Sequence, residues 1–189
     1  MRKVVLAVIG LVLSVGIAGA TVPDENFCSV EPCDTINGVV ISPFSGAAPA
    51  AIEFTANVRN SNNDPIPNAF VELLFGTPGN HFFCTTAVLT GTTNANGDVT
   101  FAVAAGGCTV GANAIRIRAN NVIIRTYTNV KSPDYDGVAG NGAVVLADFT
   151  VFGNAYVVGA PGCTNYYNDG STGLTDFTAF GACWARVCP

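Results

Sequence analysis

The chain has 189 residues, of which 49% are hydrophobic, only 11% are charged and 21 are glycine. Its formal net charge of −5 excludes the basic, phosphate-neutralising surface that nucleic-acid binding requires. Few charges and many glycines favour short strands and turns, and the length suits one core with a small appendix or two small domains.

The N-terminus has the pattern of a secretory signal peptide. Arg2 and Lys3 precede an apolar run over 4–17, and the run is followed by small residues at 18–20. The run is shorter than the ~20 residues that a membrane-spanning helix needs. We therefore expect cleavage before Thr21 and a secreted mature chain, with six basic side chains against 13 acidic ones and a net charge of −7.

Seven cysteines in a chain routed to an oxidising compartment predict a disulfide framework. Local grouping favours the pairs Cys28–Cys33, Cys84–Cys108 and Cys163–Cys188, and Cys163–Cys183 is nearly as well supported for the last pair. Spacing alone does not fix the connectivity. In the first scheme Cys183 is left over, and we expect it to be a buried thiol rather than a link between chains.

Residues 39–130 alternate between short apolar strands and turns. Apolar side chains at every second position line one face of a strand, and they are Ile52, Phe54, Ala56 and Val58, then Ala69, Val71, Leu73 and Phe75, then Val99, Phe101 and Val103, then Ile115 and Ile117. Asn96-Gly97 predicts a hairpin, and a final strand is predicted over about Val122 to Val130. Strands at this spacing predict a mainly β protein with a β-sandwich.

Two runs in this region carry a family resemblance. They are Ala56-Asn-Val-Arg-Asn-Ser-Asn-Asn-Asp-Pro-Ile-Pro-Asn-Ala-Phe-Val71 and Thr93-Asn-Ala-Asn-Gly-Asp-Val-Thr-Phe101. Together they resemble the bacterial Ig-like domains of the invasin/intimin type, in which a strand leads through a proline turn to the next strand and then to a hairpin. The resemblance implies an extracellular, antiparallel Ig-like β-sandwich that serves as a spacer or adhesive surface, with no catalytic residues to transfer.

Near the C-terminus one phrase occurs twice, which predicts one structural unit used twice. The copies are Leu146-Ala-Asp-Phe-Thr-Val-Phe-Gly153 and Leu174-Thr-Asp-Phe-Thr-Ala-Phe-Gly181. Phenylalanines three positions apart share one face of a helix. Each copy is therefore predicted to be a helix that packs against the sandwich or its sister helix, and the packing residues are Phe149, Phe152, Phe177 and Phe180.

The residues before the second copy fit a 12-residue calcium loop, which supplies oxygens from alternate positions and from the twelfth, with glycine at the sixth. In that register the predicted ligands are Asn165, Asp169, Ser171 through its carbonyl, and Asp176. The sixth residue is glycine, but Tyr167 replaces the usual acid or amide at the third position. The register resembles the dockerin repeat, a loop followed by a helix and used in tandem. With so few side-chain oxygens we expect a weak Ca²⁺ site, with a dissociation constant of ~10⁻⁴ to 10⁻³ M.

The loop before the first copy is irregular. Asp134 and Asp136 resemble the first and third ligands, Asn141 the fifth and Asp148 the twelfth, but an insertion of three residues falls around 138–140. The insertion either bulges outward while the ligands remain, or leaves a plain turn. For both loops the alternative is a helical hairpin that has kept its packing residues and lost its ions.

Other candidates for chemistry are weaker. His81, the sole histidine, lacks the partners of a nucleophile or a zinc site, and we expect a solvated loop side chain. Arg116, Arg118 and Arg125 are expected to form a solvated outward stripe. Most of the acids are used in turns and in the two loops, so we expect no enzyme activity.

These observations predict a division of the chain into a signal peptide (1–20), a disulfide-containing segment (21–33), an Ig-like sandwich (34–130) and a dockerin-like module (131–189), with repeats at about 132–156 and 163–188. The expected function is that of a secreted, non-catalytic structural or adhesive module, whose C-terminal part docks onto a partner protein or onto its own sandwich. The alternative is a carbohydrate-binding module of an extracellular polysaccharide-degrading system, with the arginine stripe and Tyr127, Tyr135 and Tyr166 as contacts. A hydrolase is the third possibility.

Overall fold

The computed structural model describes residues 22–33, 36–45 and 50–189 of the chain, and the predicted signal peptide lies outside these ranges. Along the described residues, ten β-strands precede two α-helices. The strands are β1 (Ser29–Glu31), β2 (Gly38–Val40), β3 (Glu53–Asn57), β4 (Phe70–Phe75), β5 (His81–Phe83), β6 (Thr90–Thr92), β7 (Asp98–Ala102), β8 (Ala105–Gly107), β9 (Thr109–Ala119) and β10 (Val122–Lys131). The helices are α1 (Leu146–Val158) and α2 (Leu174–Cys183), and a 3₁₀ turn spans Pro78–Asn80.

The strands form a sandwich and a separate ribbon. One sheet has the order β1-β3-β7, the second has the order β2-β10-β9-β4-β6, and β5 pairs with β8 alone. Neighbouring strands are antiparallel except for β2 and β10, which run parallel. The predicted fold class, a mainly β sandwich followed by a small helical module, is confirmed. The sandwich is not purely antiparallel, because β2 enters the sheet beside β10 in the same direction.

The predicted alternation places the core between the two sheets. Phe54 and Ala56 on β3 are fully buried, as are Val71 on β4 and Ile115 and Ile117 on β9. These side chains belong to one cluster drawn from both sheets. Burying apolar side chains from both sheets is the main term that stabilises such a fold.

The segment before residue 34 takes part in the sandwich. Its strand β1 pairs with β3, with Ser29 opposite Asn57, and Val30 is buried in the sandwich core. Tyr127 closes the same region, since its hydroxyl donates to the Pro32 carbonyl at 2.6 Å. Residues 29–31 therefore supply an edge strand of the sandwich.

The turn at Asn96-Gly97 differs from the prediction. Gly97 has a φ of +82°, and the Asn94 side chain accepts hydrogen bonds from the Asn96 and Asp98 amides at 2.8 and 3.1 Å. However, the turn joins β6 to β7, which lie in different sheets. The predicted hairpin is wrong, because the turn signal fixes a chain reversal but does not decide which sheet receives the next strand.

The two helices pack through aromatic rings from both copies of the repeat, with Phe152 and Phe180 at the centre. The Phe152 and Phe180 rings are stacked with centroids 5.0 Å apart, and both side chains are buried. Val40 and Phe44, at and just after β2, belong to the same apolar cluster as these rings. The helical module thus completes its small core with residues of the sandwich region.

The disulfides connect the module to the sandwich region, and the predicted pairing is wrong. The observed pairs are Cys84–Cys188 and Cys108–Cys163, and Cys28, Cys33 and Cys183 are unpaired. Cys183 is buried, as predicted for a leftover thiol.

Strand geometry explains why the local pairs do not form. Cys84 follows β5 and lies opposite Ala104, whereas Cys108 follows β8 and lies opposite Asn80. The two cysteines stand at opposite ends of the antiparallel ribbon, roughly 13 Å apart at ~3.3 Å per residue, and a disulfide needs Cα atoms within about 7 Å. Strand β1 similarly separates Cys28 from Cys33.

Candidate functional site

The first loop is organised around the buried carboxylate of Asp134. Its oxygens accept hydrogen bonds from the Asn141 and Gly142 amides at 2.9 and 2.8 Å. Gly106 on β8 makes room for it, because any Cβ there would lie 2.0 Å from Asp134 Oδ2. The insertion around 138–140 therefore folds back over Asp134, and the Ala139 carbonyl accepts from the Phe82 amide at 3.0 Å.

Three acidic side chains of this loop influence one another. Burial raises the pKa of Asp134 to about 6; the Asn141 and Gly142 amides oppose the rise, and the charges of Asp148 and Asp136 add to it. Burial also raises the pKa of Asp148, with the charge of Asp136 as a further cause. Concentrated negative charge in a desolvated loop is an arrangement that a bound cation would relieve.

Asp148 has an unused oxygen. Its Oδ2 accepts the Val145 amide hydrogen at 2.8 Å, at the start of α1, while its Oδ1 is buried and has no hydrogen-bond partner in the described part of the chain. An orphaned buried carboxylate oxygen costs about 1–3 kcal/mol or more. Asp134, Asp136 and Asp148 therefore have the charge and the donor chemistry that calcium prefers.

The second loop brings together only some of its predicted ligands, since the Asn165 side-chain oxygen accepts from the Asp169 amide at 3.3 Å. Asp176 is buried and accepts hydrogen bonds from the Tyr166, Tyr167 and Gly173 amides. Asp169 and Ser171 are instead exposed, joined by a hydrogen bond of 3.3 Å from the Ser171 amide to the Asp169 carboxylate. The twelfth residue thus caps the helix N-terminus.

A residue that the sequence analysis missed lies at the second loop. The Lys131 ammonium donates to the Asn165 carbonyl and to the Asn168 side-chain oxygen. The sequence does contain a sign that Lys131 is unusual. Lys3 and Lys131 are the only lysines in the chain, and Lys131 directly follows the last predicted strand. No group of three or more His, Cys, Asp or Glu side chains suited to a metal ion occurs among the residues that the structure describes.

The outer face of the helix pair is an apolar groove. It has a volume of about 330 Å³ and is lined by Leu146, Phe149, Phe177, Phe180, Gly181 and Trp184. Phe149 is 40% exposed, Phe177 43% and Trp184 45%. Of the four predicted packing residues, two are therefore buried between the helices and two form an open surface.

His81 is buried rather than solvated, so that prediction is wrong. Its Nδ1 donates to the Gly106 carbonyl at 3.1 Å and its Nε2 accepts from the Thr109 hydroxyl at 3.0 Å, since a carbonyl can only accept. Its ring packs 4.8 Å from Phe75. Residue 81 begins strand β5, and pairing with β8 encloses the imidazole.

The predicted carbohydrate contacts do not form a surface. Tyr127 and Tyr166 are buried, so their assignment as exposed contacts is wrong. Arg118 is engaged with Glu72 at 2.7 Å, and Arg125 lies over the Tyr127 ring. The arginine stripe is thus in part committed to neighbouring side chains.

Comparisons with known proteins add little. No protein-family model matches the chain, and no curated protein matches it. One solved structure with some likeness is a C-terminal interface mutant of a type II cohesin–X–dockerin complex from Acetivibrio cellulolyticus, at 16% identity over 80% of this chain and 95% of that one, with a TM-score of 0.29. A likeness at this level supports neither a fold assignment nor a function. Within the ranges that the structure describes, no helix is long and apolar enough to cross a membrane.

Proposed function

We propose that the protein is a secreted, non-catalytic structural or adhesive module whose C-terminal helix pair docks onto another protein. The observation that supports this most is the exposed groove over Leu146, Phe149, Phe177 and Trp184. Exposed apolar patches that are not isolated side chains usually mark interaction surfaces. In this proposal, the chain presents the groove to a partner protein. Disulfides hold the helix pair, and so the groove, on the sandwich.

The uncharged, aromatic lining of the groove indicates which kind of partner it binds. Among the residues that the structure describes, no charged side chain lines it, although the chain as a whole carries a net charge of −5. An uncharged aromatic groove favours aliphatic or aromatic side chains of a folded partner protein, which dock without leaving unpaired charges. A polysaccharide would need polar groups around the rings, and the groove offers few.

The non-catalytic part of the proposal is supported by how the reactive side chains are used. His81 is enclosed by hydrogen bonds to Gly106 and Thr109. Asp134 and Asp176 bind backbone amides of their own loops. These groups serve the architecture, and none is paired with a nucleophile in a cleft.

We further propose that calcium binds at the first loop, where it would draw together acids that do not form a metal-binding group among the described residues. Asp134, Asp136 and Asp148 would hold it, and the unused Oδ1 of Asp148 is the observation that supports this. The ion would supply positive charge to three acidic groups and so stiffen the base of α1. We propose no ion at the second loop, where Asp176 binds backbone amides and Lys131 supplies a positive charge.

The docking proposal is tested with charged substitutions on the helix face. Phe149→Asp and Phe177→Asp are compared with Phe70→Asp, which alters an exposed phenylalanine on the sandwich. Immobilised wild type retains proteins from the secreted fraction of the source organism, and the retained protein is identified, purified and titrated by calorimetry. We expect wild type and Phe70→Asp to bind equally, and each helix variant to bind at least about tenfold more weakly, a loss of ~1.4 kcal/mol.

Three results would overturn the docking proposal. The first is equal binding of the purified partner to the helix variants. The second is light scattering that shows a dimer of the wild type and a monomer of Phe149→Asp, since the occupant is then a second copy. The third is retention of polysaccharide alone.

A further inference from the structure

Lys131 is a charged side chain in a position where charge is costly. It ends β10, it is only 3% exposed, and it is the single lysine of the chain outside the predicted signal peptide. An ammonium group removed from water costs several kcal/mol unless polar partners replace its hydration. The partners of Lys131 must therefore be sought in the protein.

The second loop supplies those partners. The Nζ of Lys131 donates to the backbone oxygen of Asn165 and to the side-chain oxygen of Asn168. An ammonium group has three donors and no acceptor, so neutral oxygens of this kind suit it. Asn168 has a φ of +55°, a left-handed conformation that asparagine tolerates better than most residues.

The remaining parts of the loop are committed elsewhere. Asp176 accepts hydrogen bonds from the Tyr167 and Gly173 amides at 3.2 and 2.9 Å, and Asp169 binds the Ser171 amide at the surface. The loop from 165 to 176 carries two carboxylates and no basic side chain of its own. Lys131 brings a positive charge to this acidic loop from the sandwich.

The strand holds the ammonium in place. The Lys131 carbonyl accepts from the Ile41 amide at 2.8 Å, and residue 131 is paired with Val40 on β2. The Lys131 backbone is therefore fixed in the five-stranded sheet. A cation fixed to the chain needs no free ion in solution and cannot dissociate.

We propose that the Lys131 ammonium is the resident cation of the second loop, which it joins to the sandwich through the Asn165 carbonyl and the Asn168 side chain, so that this loop keeps its fold independently of calcium. The two loops of the repeat thus differ in chemistry. Calcium requires six to eight oxygens, whereas the contacts described for the ammonium include a carbonyl and an amide oxygen of the loop, and the Asp176 carboxylate binds backbone amides. This inference does not depend on what binds the helix face.

The direct test is the chemical accessibility of Lys131 in the full chain. Reductive dimethylation with formaldehyde and cyanoborohydride is followed by mass spectrometry of the arginine-cleaved peptide that carries Lys131. We expect the native chain to be modified at Lys131 at least about tenfold more slowly than the urea-unfolded chain, because reaction requires local opening. Addition of ~10 mM calcium should not raise the native rate, since no ion displaces the ammonium.

A pair of matched variants tests the loop contact itself. Asn168→Gly removes the side-chain acceptor and tolerates the positive φ, and we expect it to raise the native labelling rate by about threefold or more. Asn141→Gly makes the same change in the first loop, where the Asn141 side chain accepts only from the Ala143 amide at 3.1 Å among the contacts described, and it should leave the rate as in wild type.

Two outcomes would overturn this proposal. One is native labelling of Lys131 within about twofold of the unfolded rate, since the ammonium is then free in solution. The other is labelling that rises when calcium is added, since the metal then displaces the ammonium. Either labelling result can occur while the helix face still binds its partner. The docking proposal is therefore tested independently of this one.

Discussion

The imidazole of His81 shows how a single side chain joins two parts of the structure. It accepts from the Thr109 hydroxyl, which in turn lies 2.7 Å from the Thr77 hydroxyl, and it donates to Gly106 on β8. Gly106 is also the residue whose missing side chain leaves room for Asp134. The ribbon of β5 and β8 therefore links the histidine to the first loop.

His81 predicts a pH dependence of stability. Burial lowers its pKa from the ordinary 6.5, and the Gly106 carbonyl opposes this only in part. The unfolded chain then binds a proton near pH 6.5 that the folded chain does not, so stability is full above pH 6.5 and falls as the pH drops toward the folded pKa. We expect a slope of at most about 1.4 kcal/mol per pH unit in urea unfolding.

The control for this prediction is His81→Asn, whose amide can still donate to Gly106 but does not titrate. Below pH 6.5, the unfolding free energy of this variant should fall less steeply as the pH drops, because the His81 contribution is missing. An imidazole pKa at or above 6.5, measured by NMR in the folded chain, would contradict the prediction.

The two loop–helix elements begin in the same way. In each, the third helical residue, Asp148 or Asp176, accepts the amide hydrogen of the residue before the helix. This satisfies one of the free donors at a helix N-terminus and places a negative charge where the helix dipole favours it. The repeated Asp-Phe pair is thus explained by helix capping even without an ion.

Calcium binding is predicted to distinguish the two elements. With ~10 mM calcium and a dissociation constant of about 1 mM, linkage gives about 1.4 kcal/mol of added stability, or roughly 3–6 °C in Tm. We expect thermal unfolding of the wild type to show this shift and Asp148→Asn to lose it, although asparagine can still accept the Val145 amide hydrogen. Asp169→Asn, in the second loop, should keep the shift, and an unchanged shift in Asp148→Asn would refute the assignment to the first loop.

At the scale of the whole molecule, the β5–β8 ribbon is fixed at both ends to the C-terminal module. Cys84 at one end is bonded to Cys188, and Cys108 at the other end is bonded to Cys163. The sequence separations are 104 and 55 residues. The chain tail adds to this contact, since the Cys188 amide donates to the Gly142 carbonyl at 2.7 Å.

Removal of the longer disulfide is predicted to destabilise the chain by about 4 kcal/mol, because it releases the largest loop in the unfolded state. Urea unfolding of Cys84→Ser/Cys188→Ser measures the loss, and Cys33→Ser, which touches no disulfide, serves as the control. A thiol count of the unreduced, unfolded wild type should give three free thiols. One free thiol would instead support the locally grouped pairs.

Much of the fold could be predicted from local pattern. The alternation at Phe54, Ala56, Val71 and Ile115 gives the correct inward faces, because side chains on a strand alternate with a fixed period. The repeated phrase gives two helices. The cysteine pairs could not be predicted this way, since pairing depends on distances between strand ends, and those follow from topology.

The candidate site was predicted in part. Asp134 and Asp148 do come together in the first loop, where the charge of Asp148 adds to the rise in the pKa of Asp134. In the second loop, Asn165 and Asp176 are buried but Asp169 is exposed. A register of alternating oxygens identifies residues that can bind a metal, but their orientation depends on contacts with Lys131 and β10, which lie far away in sequence.

Local periodicity and residue chemistry are enough to predict the mainly β class, the inward faces of the strands, the helix pair and the acidic composition of both loops. Three features instead require the packed molecule: the sheet that each strand joins, the bonds from Cys84 and Cys108 to the C-terminal module, and the contact of Lys131 with the second loop. Those features depend on groups far apart in sequence, and their proximity arises only when the two sheets and the helical module pack together.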